Sequence, residues 1–327
     1  MLVTNFSPVF FSGQLFTTDI DGTFLIGRKD NPKRNVEDRE YDVESAKKVF
    51  QAVRDNGYDD VLINTGRNFT ELSEIKDILK GLDAPISAIS LEDGKRLLKK
   101  PVNLTPEQWM AQLFGGKTDY KYYSDKNWSS INNAPLKKIG EYLVKEEGFC
   151  HRKDNGENSI FVKDIAPEDI GVEKLSDRPK WKVEIVPPGI TVKISIYPNS
   201  EGSKINLQKY NDYLSKKIYE MLKQNGFDIT ALDSEKETSY TNQFQRGDIN
   251  KGTVANYLKS TFEEETEEVR AGNAINDLEM LDNDDIHSIV VGDDKELKKA
   301  LSGRKNVFYA EEGKLDEAIY EVSKKLK

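Results

Sequence analysis

The sequence predicts an α/β protein: a doubly wound parallel sheet into which a second α/β domain is inserted. Three observations predict it. Short apolar strands alternate with amphipathic helices from Gln14 to Ile89, which is the rhythm of a parallel sheet with crossover helices. The same rhythm returns after about Gly247 and closes the chain. Between the two halves the texture changes to aromatic and lysine-rich stretches. The expected organisation is a discontinuous core over 1–98 and 247–327, interrupted by an inserted domain over 99–246.

Each element has its own signal. Leu15 to Ile20 reads as the first strand, with Met1 to Phe16 leading into it. Val43, Ala46, Phe50 and Val53 recur at helical spacing before Gly57, so a helix is expected over Asp42 to Asn56. Val61 to Asn64 is the next strand. Leu72, Ile75, Ile78 and Leu79 then line one helix face that stops at Gly81, and Ile86 to Ser90 is a third strand. In the insert, Lys182 to Val186 and Thr191 to Tyr197 read as strands flanking Pro187-Pro188-Gly189, and Leu207, Tyr210, Leu214, Ile218 and Met221 mark a helix. The second half gives a helix over Gly252 to Lys259, a strand over Glu268 to Ala271 and a helix over Asp277 to Leu281. Strands over Ser288 to Val291 and Asn306 to Tyr309 follow, then a helix striped by Leu315, Ile319 and Val322.

Composition narrows the function. With 327 residues, 37% apolar and 32% charged, the chain can bury a sizeable core. The 48 Lys plus Arg against 57 Asp plus Glu leave a net charge of -9, a field that repels nucleic acid and anionic membrane surfaces. The single cysteine, Cys150, cannot pair within the chain, and no apolar run approaches the roughly 20 residues of a membrane span. The start has a short apolar patch at Val9, Phe10 and Phe11 but no signal-peptide pattern. We expect a cytoplasmic protein, monomer or small homo-oligomer. In that setting the glycosylation-type tripeptides at Asn5, Asn68, Asn103 and Asn127 carry no weight.

Chemistry concentrates at strand ends. Thr18-Asp19-Ile20-Asp21-Gly22-Thr23 follows the first strand, and alternation is expected to point Asp19 and Asp21 the same way. Ligands bind at the carboxyl ends of open α/β sheets. Two close carboxylates repel unless they share a cation or a proton, which suggests a hard metal such as Mg²⁺. Gly22 permits a bend that a side chain would resist. The second strand ends in Asn64-Thr65-Gly66-Arg67, offering a hydroxyl and backbone N–H groups to an anion. Lys251-Gly252 opens a helix with an ammonium that can neutralise phosphate charge. Gly272-Asn273-Ala274-Ile275-Asn276-Asp277 is a polar loop suited to metal ligation or to helix capping.

In this order the four elements resemble the haloacid dehalogenase (HAD) superfamily of phosphatases. The resemblance covers essentially the whole chain. The insert is similar to the large α/β cap of the subgroup with Cof-type sugar phosphatases, sucrose-phosphate phosphatase and mannosyl-phosphoglycerate phosphatase. The stretches Tyr122-Tyr123-Ser124-Asp125-Lys126-Asn127-Trp128 and Ile289-Val290-Val291-Gly292-Asp293 resemble the sucrose-phosphatase branch. The resemblance implies a Rossmann-like core and a Mg²⁺-dependent phosphomonoester hydrolase whose cap closes over a small phosphorylated metabolite, with a sugar phosphate favoured. It makes Asp19 the nucleophile that forms an aspartyl-phosphate and Asp21 the general acid and base. Thr65, the Gly66 N–H, Lys251 and Asn276, with Gly22 and Thr23, would hold the phosphoryl group. Asp19, Asp21 through its carbonyl, Asn273 and Asp277 would hold Mg²⁺.

One position departs from the family pattern, which has Gly-Asp where this chain has Gly272-Asn273. An amide oxygen can ligate Mg²⁺ but carries no charge, so metal affinity should fall. Three readings stay open: a working natural variant, a degenerate enzyme, or an altered residue. Two rival functions follow, a phosphosugar mutase using the same covalent chemistry and a non-catalytic phosphometabolite-binding protein. Other residues read as structural. His151 and His287 have no partner pattern, Cys150 lies in the insert, Trp128 and Trp181 suit a domain core, and Glu263 to Glu268 reads as a solvated loop.

Overall fold

The computed structural model describes residues 13–27, 40–115, 124–127, 134–153, 159–164, 180–186, 189–195, 201–226, 229–236, 239–246, 249–262 and 266–326. The apolar patch at Val9 to Phe11, Tyr122, Tyr123, Trp128, Pro187-Pro188 and Glu263 to Glu265 lie outside these residues, as does the side chain of Trp181. Two compact units form, one over 1–127 and 250–327, the other over 128–249.

The discontinuous unit begins with β1 (Gln14–Thr18), α1 (Val43–Asp55), β2 (Tyr58–Asn64), α2 (Phe69–Glu74), α3 (Lys76–Lys80) and β3 (Ile86–Leu91). Helix α1 falls within the expected range because both ends are marked. The Asp42 carboxylate accepts from the Ser45 N–H at 3.0 Å, and Asn56 closes the last turn. Its apolar stripe, Ala46, Val49, Phe50 and Val53, is buried. The helix expected across Leu72 to Leu79 is instead two short ones, because Ile75 leaves helical geometry at φ -104 and ψ 13. The Asn68 capping box with Glu71 starts the first of them.

The chain then continues in the same sheet, past the boundary expected at 98. Strand β4 (Arg96–Lys99) pairs antiparallel with β3, α4 (Pro106–Leu113) follows, and β5 (Ser124–Asn127) pairs antiparallel with β4. The reversal needs only a tight turn, which Glu92 and Asp93 make at φ of 55° and 52° before Gly94.

In the contiguous unit, α5 (Ala134–Lys145) and α6 (Glu201–Gln224) pack on a sheet of β6 (Cys150–Lys153), β7 (Ser159–Asp164), β8 (Lys180–Val186), β9 (Gly189–Ser195), β10 (Ile229–Lys236) and β11 (Ser239–Arg246). Its order is β10-β11-β9-β8-β7-β6, antiparallel throughout. Leu136, Ile139 and Leu143 meet Leu214, Ile218 and Leu222 over Phe161, Val183, Ile185 and Phe244. A Cβ on Gly140 would lie 2.7 Å from the Phe161 ring, so glycine lets α5 approach the sheet.

The first unit resumes with α7 (Lys251–Lys259), β12 (Glu268–Gly272), α8 (Leu278–Leu281), β13 (His287–Val291), α9 (Lys295–Ala300), β14 (Val307–Ala310) and α10 (Leu315–Leu326). The completed sheet runs β14-β13-β12-β1-β2-β3-β4-β5, parallel from β14 to β3. Strand β1 lies between β12 and β2, at the point where chain order reverses, and that is where open α/β sheets bind ligands.

Glu268 is no part of a solvated loop. It opens β12 with both oxygens engaged, by the Thr17 hydroxyl at 2.7 Å and by Arg270 at 2.8 Å, and Arg270 also donates to the Met280 carbonyl at 3.0 Å. Both charged side chains are fully buried. Burial on that scale requires pairing, and the i, i+2 spacing of a strand places the two on one face.

Candidate active site

Strand β1 ends at Thr18, so alternation does not orient the two carboxylates; a turn does. The Asp19 N–H still follows the sheet, donating to the Ala271 carbonyl at 3.1 Å. Beyond it, the Leu25 N–H donates to Ile20 at 3.0 Å and the Gly22 N–H to Leu25 at 3.0 Å, folding Asp21 to Leu25 into a tight loop. Gly22 has φ +78, and a Cβ there would lie 2.3 Å from the Asn273 amide nitrogen. Glycine is required twice over, by backbone conformation and by space.

Three strand ends converge on one ammonium. Lys251, first residue of α7 and almost fully buried, donates to Asp19 Oδ1 at 2.8 Å and to Asp277 Oδ1 at 2.7 Å, with Asp93 Oδ1 at 4.0 Å. Burial alone would pull its pKa down, but the charges of Asp19, Asp277 and Asp93 raise it well above the ordinary lysine value. The Asp19 carboxyl is pushed up to about 7, mainly by burial and further by Asp277, while Lys251 acts against the rise. Lys251 is itself placed by β2, whose Asn64 amide donates to the Lys251 carbonyl at 2.8 Å. The turn of α7 is fixed by Asn250 accepting from the Thr253 N–H at 2.8 Å.

Asp277 is engaged on both oxygens. Its second oxygen accepts from the backbone N–H groups of Asn273 at 2.8 Å and Ala274 at 3.2 Å. It thus closes its own loop and holds Lys251. Asn273 turns toward the first loop, where its amide oxygen accepts from the Thr23 hydroxyl at 3.2 Å. Asn276 is half-buried on the short 3₁₀ turn before α8 and makes no side-chain hydrogen bond among the described residues. Thr65 is buried at the end of β2, its hydroxyl accepting from the Arg67 N–H at 3.1 Å. Gly66 lies so close to Asp93 that a Cβ would meet its carboxylate at 3.1 Å.

Two participants were not assigned from sequence. Arg67 grips Asp21 with two parallel bonds of 2.7 Å, and Asp93 joins the Lys251 cluster from the turn after β3. The signal for Asp93 was its place after a third strand end; that for Arg67 was its adjacency to Thr65-Gly66. Within its own unit His151 stacks on Phe161, His287 is tilted against Phe308, and Cys150 is exposed.

Among the described residues, no three His, Cys, Asp or Glu side chains form a ready-made metal cage. The donor set is thinner than expected, since both Asp277 oxygens already have donors, whereas the Asp21 pairing with Arg67 involves its side chain and not its carbonyl. Charge nevertheless favours a cation. Asp19, Asp21, Asp93 and Asp277 outnumber Lys251 and Arg67 by two, in a place where Asp19 resists ionisation. A hard divalent ion held by Asp19, the Asn273 amide oxygen, the Asp21 carbonyl and water would fit that excess and the oxygen chemistry of Mg²⁺.

No known family model matches this sequence, and no curated protein is similar to it. Solved structures do share its fold. A HAD/COF-like hydrolase from Plasmodium vivax is 18% identical, with a TM-score of 0.54 over 96% of this chain and 96% of that one. A haloacid dehalogenase-like hydrolase from Bacteroides thetaiotaomicron is 12% identical, with a TM-score of 0.51 over 95% of this chain and all 100% of that one. A Thermoplasma acidophilum protein is 14% identical, with a TM-score of 0.50 over 95% and 98% of the two chains. Likeness at such identities speaks to architecture alone. This chain has the fold of the haloacid dehalogenase-like hydrolases.

Proposed function

We propose that the protein is a phosphomonoester hydrolase of the haloacid dehalogenase type, acting on a small phosphorylated metabolite, with a sugar phosphate as the favoured class. The observation that carries this reading is the buried Asp19–Lys251–Asp277 arrangement at the carboxyl ends of β1 and β12. It holds one oxygen of Asp19 still and leaves the other to attack. Asp19 is the nucleophile. Its bond to phosphorus forms as the bond to the leaving oxygen breaks, and Asp21 gives that oxygen a proton. Water then attacks phosphorus and gives a proton to Asp21, the bond from Asp19 to phosphorus breaks, orthophosphate leaves and the Asp19 carboxylate is restored.

Lys251 offsets the charge on the phosphoryl oxygens, and Thr65 with the Gly66 N–H receives them. Asp277 keeps Lys251 in place rather than serving as a metal ligand, because both its oxygens already have donors. Gly22 and Thr23 shape the loop, their N–H groups being bonded within it to Leu25 and Ile20. Asp19, Asn273 and the Asp21 carbonyl would hold Mg²⁺, which would supply positive charge to offset that of the phosphoryl group. The same reading gives an Mg²⁺-requiring protein with no nucleic-acid or membrane partner, cytoplasmic, and a monomer or small homo-oligomer.

The test is phosphate release from a panel of sugar phosphates and p-nitrophenyl phosphate across a Mg²⁺ titration, with Asp19→Asn as control. Metal-dependent release that disappears in Asp19→Asn is expected. Sugar phosphates that bind without turnover would replace the hydrolase with a binding protein, and conversion to an isomeric phosphate without free phosphate would indicate a mutase. Asn273→Asp should lower the Mg²⁺ midpoint, since it adds a charge while still accepting from Thr23. An unchanged midpoint, with unchanged Mg²⁺ binding by calorimetry, would remove Asn273 from the metal site.

A further inference from the structure

Within the phosphatase reading, on which this inference rests, we propose that Arg67 is a positioning residue that fixes the Asp21 carboxyl for its proton transfers. The guanidinium makes four hydrogen bonds to three partners, and two of those partners, Tyr41 and Glu71, hold it independently of Asp21. Its Nε and Nη2 donate to the two oxygens of Asp21, each at 2.7 Å, in the fork geometry that sets a carboxylate plane. Nη2 also donates to the Tyr41 hydroxyl at 2.9 Å, and Nη1 to the Glu71 carbonyl in the first turn of α2 at 2.9 Å. Its backbone is tied as well, the N–H to Thr65 at 3.1 Å and the carbonyl to the Glu92 N–H at 3.0 Å.

The two partners differ in exposure. The Arg67 side chain is 8% exposed, whereas that of Asp21 is 40% exposed. An ion pair between two open side chains would orient nothing, since both would move freely. Here a fixed guanidinium holds an open carboxylate whose remaining lone pairs face away from the fork. Asp21 stands three residues beyond the end of its strand, in the turn that bridges back to Leu25. Arg67 directs its carboxyl from β2's end. It transfers no atom: Asp21 enters the first step as the acid, with its proton on a lone pair outside the fork, gives that proton to the leaving oxygen, and as the carboxylate takes one from water in the second, which returns it to its starting form.

A leaving group that needs no proton provides the test. Nitrophenolate departs as a stable anion, whereas an alkoxide must be protonated. Arg67→Met should lower kcat/KM for glycerol 2-phosphate about 100-fold and for p-nitrophenyl phosphate less than about tenfold. It should also produce a burst of nitrophenolate, because hydrolysis of the intermediate still needs Asp21. In an Asp21→Asn background the same substitution should cost nothing more, since the two act as one unit. Equal losses on both substrates, or additive losses in the Asp21→Asn background, would overturn the positioning role and leave a structural one. Tyr41→Phe, which removes one support and keeps the ion pair, should show the same substrate selectivity at about fivefold. It carries the test if Arg67→Met fails to fold. A wild-type protein that releases phosphate from neither substrate would sink the phosphatase reading and this role together.

Discussion

Lys251 shows how one side chain joins stability to chemistry. Its ammonium is buried between Asp19 and Asp277, so removing it leaves two carboxylates facing each other away from water. Lys251→Met should destabilise the fold by about 3–5 kcal/mol in urea unfolding and abolish phosphate release. Adding Asp277→Asn should recover part of the stability and none of the activity. A single variant that unfolds like wild type would show that the charges are not desolvated as described. Asp19 and Lys251 were readable in the sequence because one follows a strand and the other opens a helix, both with clear apolar patterns. Arg67 and Asp93 were not assigned because their roles depend on a side chain's reach, which no spacing rule encodes. Asp277 was readable as polar loop chemistry, but only its hydrogen bonds show a residue that braces Lys251.

At the scale of elements, apolar periodicity located β1, α1, β2, β3, α7, β12, β13 and β14 to within a few residues, because each buries a stripe or a whole face. It failed where that condition fails. Strands β10 and β11, Ile-Thr-Ala-Leu-Asp-Ser-Glu-Lys and Ser-Tyr-Thr-Asn-Gln-Phe-Gln-Arg, are largely polar and are held by pairing with β9 and each other. Strand β4 was hidden by the assumption that a change of texture at 98 ended the sheet. The parallel strands also conceal polar groups inside apolar runs. Asp60 on β2 is buried, accepts from the Ser87 hydroxyl and has its pKa raised by burial. A carboxyl whose folded pKa is raised contributes most at low pH, and that contribution is lost as pH rises through the raised value. Asp60→Asn should therefore stabilise the protein at pH 7, and the gain should vanish below the ordinary aspartate value of about 4. Urea midpoints at both pH values decide it; a gain independent of pH would assign the effect to something other than ionisation.

At the scale of the molecule, each unit has its own hydrophobic cluster, and the two clusters share no residue. Stability should accordingly not be one quantity. In native-state hydrogen exchange with added denaturant, the amides of α5 and α6 should open as one group and those of β1, β2 and β12 as another. Merging of all of them into one isotherm would show that the units unfold together.

The pairing of β1 with β12 joins segments about 250 residues apart, as the contact of Thr17 with Glu268 spans 251 positions. On a ribosome, β1 leaves the exit tunnel with an open edge and waits through the synthesis of the whole inserted unit before its neighbour exists. The insert is continuous in sequence and can close its own core during that delay. The guest domain is thus finished before its host, and Asp19 meets Lys251, 232 positions later, only when synthesis is well advanced. The reactive carboxylate is assembled last, so a nascent or truncated chain carries the motif without the site.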